Sequence, residues 1–217
     1  MRIIRLNKLK LESDNIINTL VDLHIKTLPN SIPSTFGRFF LQKFYFNNFV
    51  NDGYIDGLIF IIDNQCVGYS IITQYGINYI QLGIKNNLIK FVYVFVFSLI
   101  LSPSIIIKLY KQIIRRINSY HDKKVGNNIW LTMAIDQQKK NYKNEKGLRI
   151  SIIVIDKTIE LWNELFIDKI YGLVRKDNIS AILLYKSYGF QVITNKDKYN
   201  NYYDVFVETI NLKNRDI

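Results

Sequence analysis

The chain has 217 residues, a formal net charge of +11 at pH 7 and a hydrophobic content of 48%. That length suffices for one sizeable domain with a buried core, while one cysteine and two histidines argue against a disulfide framework and against a metal site. The excess of Lys and Arg favours anionic partners, whether nucleic acid, membrane surfaces or phosphorylated ligands. The start of the chain lacks the apolar core of a secretory signal, so we expect a cytoplasmic protein.

The first third of the chain predicts a strand, two helices and a β-hairpin. Capping residues and prolines set the helix limits, and an Asp-Asn pair is typical of a hairpin turn. The predicted elements are a strand over 3–11, a helix from Ser13 or Asp14 that carries His24 and stops before Pro29, a loop over 30–33, a second helix from Ser34 or Thr35, and strands over 54–63 and 66–76 joined by Asp63 and Asn64.

An apolar insertion occupies the middle of the chain, over about 80–128. Its run FVYVFVFSLILSPSIII, over 91–107, is close to membrane-spanning length but is interrupted by Pro103 and several serines. The pattern favours a buried or interface helix that ends near Pro103, with peripheral membrane contact as the alternative. After it, Ile106, Tyr110 and residues up to Ile117 line one face of a further predicted helix.

The remainder predicts a wound α/β unit whose loop over 142–149 follows the strand IWLTMAI. Open α/β sheets bind ligands at the carboxyl ends of their strands, so this loop is the first candidate for a site. The predicted elements are a strand over 129–135, a helix after Gly147 with Leu148, Ile152, Ile155, Ile159, Trp162 and Phe166 on one face, a strand over 169–174, a helix capped by Asn178 and ended by Gly189, and strands near 190–194 and 202–210.

The segment VRKDNISAILLYKSYGF has a spacing that ordinary helix chemistry explains only in part. Caps and core positions account for Asn178, Ala181 and Gly189. For Tyr185, with its hydroxyl, the only comparable explanation is that it is a half-buried core residue. The pattern is formed by Val174, Asn178, Ala181, Leu184, Tyr185, Gly189 and Phe190. It resembles the C-terminal signature of the GNAT superfamily of acyl-CoA-dependent N-acyltransferases.

The resemblance implies an α/β fold: one domain over 1–217 with a central mixed β-sheet, splayed between the IWLTMAI and KIYGLV strands and flanked by helices, with a helical insertion before the central strand. It implies acetyl-CoA as the acyl donor and a primary amine as the acceptor, with Tyr185 as the general acid that protonates the leaving thiolate. The implied acetyl-CoA contacts are Met133, Ala134 and Ile135 on the strand, Asn144, Glu145, Lys146, Gly147, Leu148 and Arg149 in the loop, and Asn178 and Ala181 on the following helix.

The loop departs from the family pattern of Q/R-x-x-G-x-G/A. Asn144 stands at the first position and Arg149 at the last, where a small residue is typical, while Gly147 is kept. Backbone N–H groups over 145–149, at a helix N-terminus, are still expected to face the pyrophosphate, with Lys143, Lys146 and Arg149 as cationic neighbours.

The acceptor is expected between the first two helices and the splayed strands. The segment LHIKTLPNSIPSTFGRFFLQKFYF resembles that of bacterial GNAT proteins found with surface-polysaccharide synthesis, which implies a nucleotide- or lipid-linked amino sugar, with Asn30, Ser31, Trp130 and Thr132 as candidate acceptor-binding residues. The general base stays unassigned among Asp56, Asp136 and His24, because Asp136 is typical of a turn and His24 of a helix face.

Two other function classes remain open: an acetyltransferase for protein or peptide amines, and a non-catalytic acyl-CoA-binding, membrane-associated module. A homodimer is also compatible with the apolar insertion. Nucleic-acid binding is not expected, because the cations are not gathered on one recognition helix.

Overall fold

Within residues 1–107, 109–110, 128–193 and 202–208, which the computed structural model describes, seven strands form one mixed sheet. Their order across the sheet is β1-β2-β3-β4-β5-β7-β6. Every neighbouring pair is antiparallel except β4 and β5, which are parallel. The strands are β1 (Arg2–Arg5), β2 (Asp56–Ile62), β3 (Gln65–Thr73), β4 (Ile129–Ile135), β5 (Lys169–Arg175), β6 (Gln191–Ile193) and β7 (Tyr202–Glu208).

Helices cover both faces of the sheet and give it two apolar layers. The helices from the first half of the chain pack on one face, and the helices that follow β4 and β5 pack on the other. They are α1 (Asp14–Thr27), α2 (Ile32–Thr35), α3 (Gly37–Phe40), a π-helix (Leu41–Phe49), α4 (Tyr79–Asn86), α5 (Leu88–Leu101), α6 (Ile150–Glu164) and α7 (Ile179–Ser187), with 3₁₀ turns at Leu6–Leu11 and Gly76–Asn78. The predicted α/β fold with a mixed sheet flanked by helices is confirmed.

The N-terminal strand is shorter than predicted. It ends at Arg5, and the next residues form the 3₁₀ helix Leu6–Leu11. Leu6 and Leu9 are both buried, and a spacing of three places side chains on one side of a 3₁₀ helix. The prediction treated this stretch as alternating, although its two core leucines already had the spacing of a 3₁₀ turn.

The second helical segment begins at Ile32, earlier than predicted, because Ser31 is its N-cap. The Ser31 Oγ accepts a hydrogen bond from the Ser34 N–H at 3.2 Å. Pro33 lies in the first turn, where a missing N–H costs nothing.

Three predicted turns and caps are confirmed. Asp63 and Asn64 have φ values of 50° and 57°, as a two-residue hairpin between β2 and β3 requires. The Asn178 Oδ1 accepts from the Ala181 N–H at 3.2 Å and caps α7, and Gly189 follows that helix with φ 84°.

The helix after the loop is confirmed as α6, but its predicted apolar face is wrong at both ends. Leu148 precedes the helix, and Phe166 is 91% exposed with φ 54°. The chain leaves the helix after Glu164, and the buried Ile167 donates its N–H to the Trp162 carbonyl at 2.9 Å. Ile167 therefore takes the inward position that helical spacing assigned to Phe166.

The apolar insertion forms α4 and α5, which meet at a bend of 101°. As predicted, α5 ends just before Pro103, but it is not a buried helix, because only Val94 and Ser98 of its residues are buried. No single described helix is long and apolar enough to cross a membrane, and α4 with α5 pass that test only as a bent pair, by length and composition. The further helix predicted up to Ile117 lies largely outside the described residues.

Candidate active site

The parallel strands β4 and β5 separate soon after they meet. They pair at Ile129 with Tyr171 and at Trp130 with Gly172, and no further pair joins them. Each strand is occupied on its other side, since β4 pairs with β3 up to Ile135 and β5 pairs with β7 along its whole length. The predicted splay of the sheet is therefore present, and it leaves one backbone edge of β4 open from residue 131 onwards.

Antiparallel pairing with β3 decides which backbone groups face this open edge. The Asp136 N–H donates to the Val67 carbonyl at 2.8 Å, and Ala134 lies two residues earlier in the same register, opposite Tyr69. Hydrogen-bonded pairs recur at every second residue of an antiparallel ladder. Ala134 therefore bonds to β3, while Met133 and Ile135 direct their N–H and C=O groups to the open edge.

A bulge in β4 separates Trp130 and Thr132, two of the predicted acceptor-binding residues. Ile71 pairs with Thr132 and Ile72 pairs with Trp130, so Leu131 is the extra residue. Simple alternation would put Trp130 and Thr132 on the same side, and that prediction is wrong. Thr132 pairs opposite Ile71, which packs in the layer of α1, whereas Trp130 packs in the opposite layer beside α6 and α7 and donates its Nε1–H to the Ser70 Oγ at 2.9 Å.

Tyr185 lies in the same layer as Trp130. Its ring centroid is 5.2 Å from that of Trp130 and 5.3 Å from that of Phe190. Burial among these rings raises the pKa of Tyr185 to about 12, because a phenolate is poorly solvated there. The hydroxyl therefore keeps its proton at neutral pH and can act as a donor.

The loop after β4 folds back on itself before α6 begins. The Asn144 Oδ1 accepts from the N–H groups of Lys146 and Leu148 at 3.0 and 2.9 Å, and the Asn144 carbonyl accepts from the Gly147 N–H at 2.9 Å. Gly147 has φ 76°, which a residue with a Cβ rarely adopts. Three of the five N–H groups predicted to face a pyrophosphate are thus bonded within the loop.

The cationic side chains of this loop face solvent. Lys143 and Arg149 pair across the base of the turn, and their side chains and that of Lys146 are exposed. Arg149 occupies the N-cap position of α6 without a side-chain capping bond, and the positive end of the helix dipole adds to its charge. The loop can therefore attract phosphate mainly through side chains rather than through a ring of backbone amides.

A buried polar chain crosses the other layer, between α1 and the central strands. His24 is 1% exposed, and its Nδ1 lies 2.9 Å from the Tyr69 hydroxyl. Its Nε2 lies 3.4 Å from the Ser31 Oγ, and the side chains of Thr27, at 3.5 Å, and of Thr132 lie beside the Tyr69 hydroxyl. The structure thus joins Ser31, a predicted acceptor residue, to Tyr69 through His24, and a second predicted acceptor residue, Thr132, lies next to Tyr69.

The donor and the acceptor can be assigned for each hydrogen bond between Ser31, His24 and Tyr69. Ser31 donates its single hydroxyl proton to the Ser34 Oγ at 2.9 Å, so its oxygen can only accept from His24. His24 then carries its proton on Nε2 and accepts from the Tyr69 hydroxyl through Nδ1. Burial lowers the pKa of His24 to about 4 and raises that of Tyr69, which keeps both groups neutral at pH 7.

The other two base candidates are engaged elsewhere. The Asp56 carboxylate accepts from the Arg5 guanidinium at 2.9 and 3.1 Å. Asp136 bonds the Gln138 N–H through its side chain and lies 3.2 Å from the Lys26 Nζ, which confirms it as a turn residue. Of the predicted acceptor residues, Asn30 lies exposed in the loop before α2.

The fold is shared by solved acetyltransferases, although no family model and no curated protein matches the chain. An acetyltransferase of the GNAT family from Staphylococcus aureus Mu50 is similar over 96% of this chain and 98% of its own, with a TM-score of 0.53 and 14% identity. A ribosomal-protein-alanine N-acetyltransferase from Brucella melitensis is similar over 96% and 99%, with a TM-score of 0.53 and 10% identity. The chain has the GNAT acetyltransferase fold. At these identities the likeness shows the fold alone.

In this GNAT fold the predicted cofactor residues gather around one end of the sheet. Met133 and Ile135 lie at the open edge of β4, the 144–149 loop follows that strand, and Asn178 and Ala181 form the first turn of α7 after β5. The Asn178 side chain, however, is already used as a helix cap.

Sequence reasoning missed Tyr69. It stands in the buried strand β3 among small and aliphatic residues, and a single tyrosine there reads as a core residue. Only its contact with His24 reveals that the hydroxyl of this β3 residue, which pairs opposite Ala134 of β4, is bonded to α1.

Proposed function

We propose that the protein is an acyl-CoA-dependent N-acetyltransferase that moves an acetyl group from acetyl-CoA to a primary amine. The observation that carries this proposal is the open edge of β4, which presents backbone groups of Met133 and Ile135 to the gap between β4 and β5. The GNAT fold of the chain and the α7 signature from Asn178 to Tyr185 support the same reading.

Acetyl-CoA fits this edge as an additional strand. Its pantetheine amides would bond to Met133 and Ile135, and its pyrophosphate would lie near Lys143, Lys146 and Arg149 in the loop before α6. A backbone N–H at Ile135 would stabilise the oxyanion that forms when the amine attacks the thioester carbon, as preorganised donors do in acyl transfer. The exposed cations of the loop compensate for the amides that Asn144 occupies.

The transfer removes two protons from an ammonium acceptor and returns one to sulfur. The neutral amine attacks the thioester carbon, the carbon–sulfur bond breaks, and Tyr185 donates its proton to the departing thiolate. Tyr185 carries this proton at neutral pH because burial keeps its hydroxyl neutral. Tyr185 then recovers a proton from the new amide nitrogen, directly or through water.

The other proton leaves through the chain from Thr132 to Ser31. The ammonium gives its proton to the Thr132 oxygen while the hydroxyl protons of Thr132 and Tyr69 each move one place towards His24. His24 accepts at Nδ1 and passes its Nε2 proton to the Ser31 oxygen, the Ser31 hydroxyl proton moves along its hydrogen bond to the Ser34 Oγ, and Ser34 releases its own proton towards solvent. A neutral histidine held between two hydroxyl groups suits such a relay, whereas it would be a weak base alone.

The acceptor we propose is an amino sugar on a nucleotide or lipid carrier. The resemblance of the segment from Leu23 to Phe46 to proteins found with surface-polysaccharide synthesis supports it, as does the net charge of +11, which favours a phosphorylated substrate. Asn30 and Thr132 are the residues we assign to it, and Ser31 serves the proton relay instead. Trp130 is left out, because it packs in the opposite layer.

The test is thiol release from acetyl-CoA with matched panels of nucleotide-linked amino sugars, lipid-linked amino sugars and peptides with free amines. Tyr185→Phe should lower kcat by about 10²-fold or more with little change in KM. Tyr188→Phe is the control, because this tyrosine is three residues away and bonds to Asp156. Turnover with peptides alone would refute the sugar acceptor, full activity of Tyr185→Phe would refute its role, and binding without any turnover would show a non-catalytic module.

A further inference from the structure

The helix α5 has one face on the core and one face in solvent, and both are apolar. Phe91 and Phe95 pack against Phe36, and Phe91 also contacts Phe40 and Phe44. The outward side chains, here called the α5 apolar face, are Leu88, Ile89, Val92, Tyr93, Val96, Phe97, Ile100 and Leu101, all exposed.

This face is too apolar for an ordinary soluble surface. Ile89 and Ile100 are 87% and 69% exposed, and Ile106, Ile107 and Tyr110 extend the exposed apolar surface beyond Pro103. Contiguous apolar patches larger than a few hundred Å² mark sites of protein or membrane contact. The exposed face of α5 therefore indicates a contact site, either for a protein or for a membrane.

Charge distinguishes between the partners. From Asn64 to His121 the sequence has no Asp or Glu, and six cations: Lys85, Lys90, Lys108, Lys111, Arg115 and Arg116. Lys85 and Lys90 flank the α5 apolar face and are exposed. A second copy of the chain would bring two such cationic segments together, which is repulsive, whereas an anionic lipid surface attracts them.

The geometry suits a helix that lies in the membrane surface rather than one that spans it. Fourteen residues of α-helix are about 21 Å long, against about 30 Å for the hydrocarbon layer. The bend of 101° before α5 and the contacts of Phe91 and Phe95 with the core hold the helix against the domain. Only its outer face is free to enter the boundary between headgroups and acyl chains.

We propose that the α5 apolar face docks the protein on an anionic lipid bilayer, with Lys85 and Lys90 against lipid phosphates. The docking is independent of acetyl transfer and would hold even without that activity. It places the domain at a membrane surface, where a lipid-linked substrate would meet it.

Flotation tests this with vesicles of phosphatidylcholine alone and with phosphatidylglycerol added at about a third of the lipid. Wild-type protein should float with the anionic vesicles, float about tenfold less with the neutral ones, and dissociate as salt rises. The double variant Ile89→Ser with Ile100→Ser should reduce the bound fraction about tenfold or more.

The matched control is Phe166→Ser with Leu183→Ser, which removes two side chains of comparable exposure, 91% and 62%, away from α5. It should float like the wild type. Protein that never floats with anionic vesicles overturns the proposal, as does equal flotation of the Ile89 and Ile100 variant or equal binding to neutral vesicles. Concentration-dependent dimerisation that this variant abolishes, without flotation, would show that a second copy covers the face.

Discussion

At the residue scale, two neutral, buried side chains, His24 and Tyr69, link Ser31 in the loop before α2 to strand β3. Their positions explain why a histidine on α1 has a polar partner at each ring nitrogen while aromatic rings surround it. The sequence predicted His24 on a helix face, and the structure adds that this face is buried. The partner Tyr69 could not be predicted, because strand pairing sets its distance from α1.

Tyr69→Phe should interrupt the proposed relay without removing the ring. We expect kcat to fall about tenfold or more and the pH profile of kcat to move towards higher pH, where the amine loses its proton to water, with KM little changed. Tyr45→Phe is the control, since Tyr45 is buried and its ring also contacts His24, but its hydroxyl lies near Tyr79 and outside the proposed relay. Equal effects of the two substitutions would assign Tyr69 a structural role only.

His24 should also give the protein a measurable pH dependence of stability. Its pKa is about 4 in the folded chain, against 6.5 for an exposed histidine. Between these values the unfolded chain binds a proton that the folded chain does not, so the free energy of unfolding falls as pH drops from about 6.5 to about 4, by up to about 3 kcal/mol. Below about pH 4 both states are protonated and this contribution stops changing.

Urea unfolding of the wild type and of His24→Gln at about pH 7, 5 and 4 measures this contribution. The variant is expected to be less stable at pH 7 and to lose less stability on acidification. Parallel loss in the two proteins would mean that His24 is not buried in its neutral form.

Strand β4 shows at the element scale what periodicity can and cannot predict. Its limits, its position before the loop and the splay from β5 agree with the expectation, because a buried apolar strand followed by a turn has a clear pattern. The bulge at Leu131 does not follow from any local pattern, since it depends on how β3 aligns with β4. That single residue puts Trp130 and Thr132 on opposite faces of the sheet, so that only Thr132 lies on the face of the proposed acceptor site.

The predicted end of α6 was wrong for a related reason. Phe166 continues the helical spacing of α6 but lies outside the helix, because Ile167 occupies the core beside Trp162. Helix propensity does not determine which of these two apolar residues is buried. Tertiary contacts place Ile167 in the core and leave Phe166 exposed.

The contact of α4 with the π-helix is a further test at this scale. A Cβ on Gly83 would lie 2.4 Å from the Phe49 ring, so α4 passes close to that side chain. Gly83→Ala should lower the free energy of unfolding by about 1 to 3 kcal/mol in urea titration, despite the better helix propensity of alanine. Gln81→Ala, at an exposed position of the same helix, should be near neutral. A stabilised Gly83→Ala would mean that the two helices are not in contact.

The whole molecule combines two surfaces of different character on one GNAT fold. The gap between β4 and β5 with its cationic loop is suited to an acyl-CoA, and the α5 apolar face with its flanking lysines is suited to a lipid surface. Composition predicted the positive charge and the apolar insertion, but not that the insertion keeps one face outside the core. The direction of that face is set by the phenylalanines packed beneath it.

Isothermal titration calorimetry with acetyl-CoA tests the central claim most directly, because it needs no knowledge of the acceptor. The open edge of β4 and the cationic loop predict one binding site per chain, with a dissociation constant of about 1 μM to 1 mM, that weakens as salt rises. Folded protein that gives no binding heat with millimolar acetyl-CoA at several temperatures would contradict the assignment of this site to an acyl-CoA.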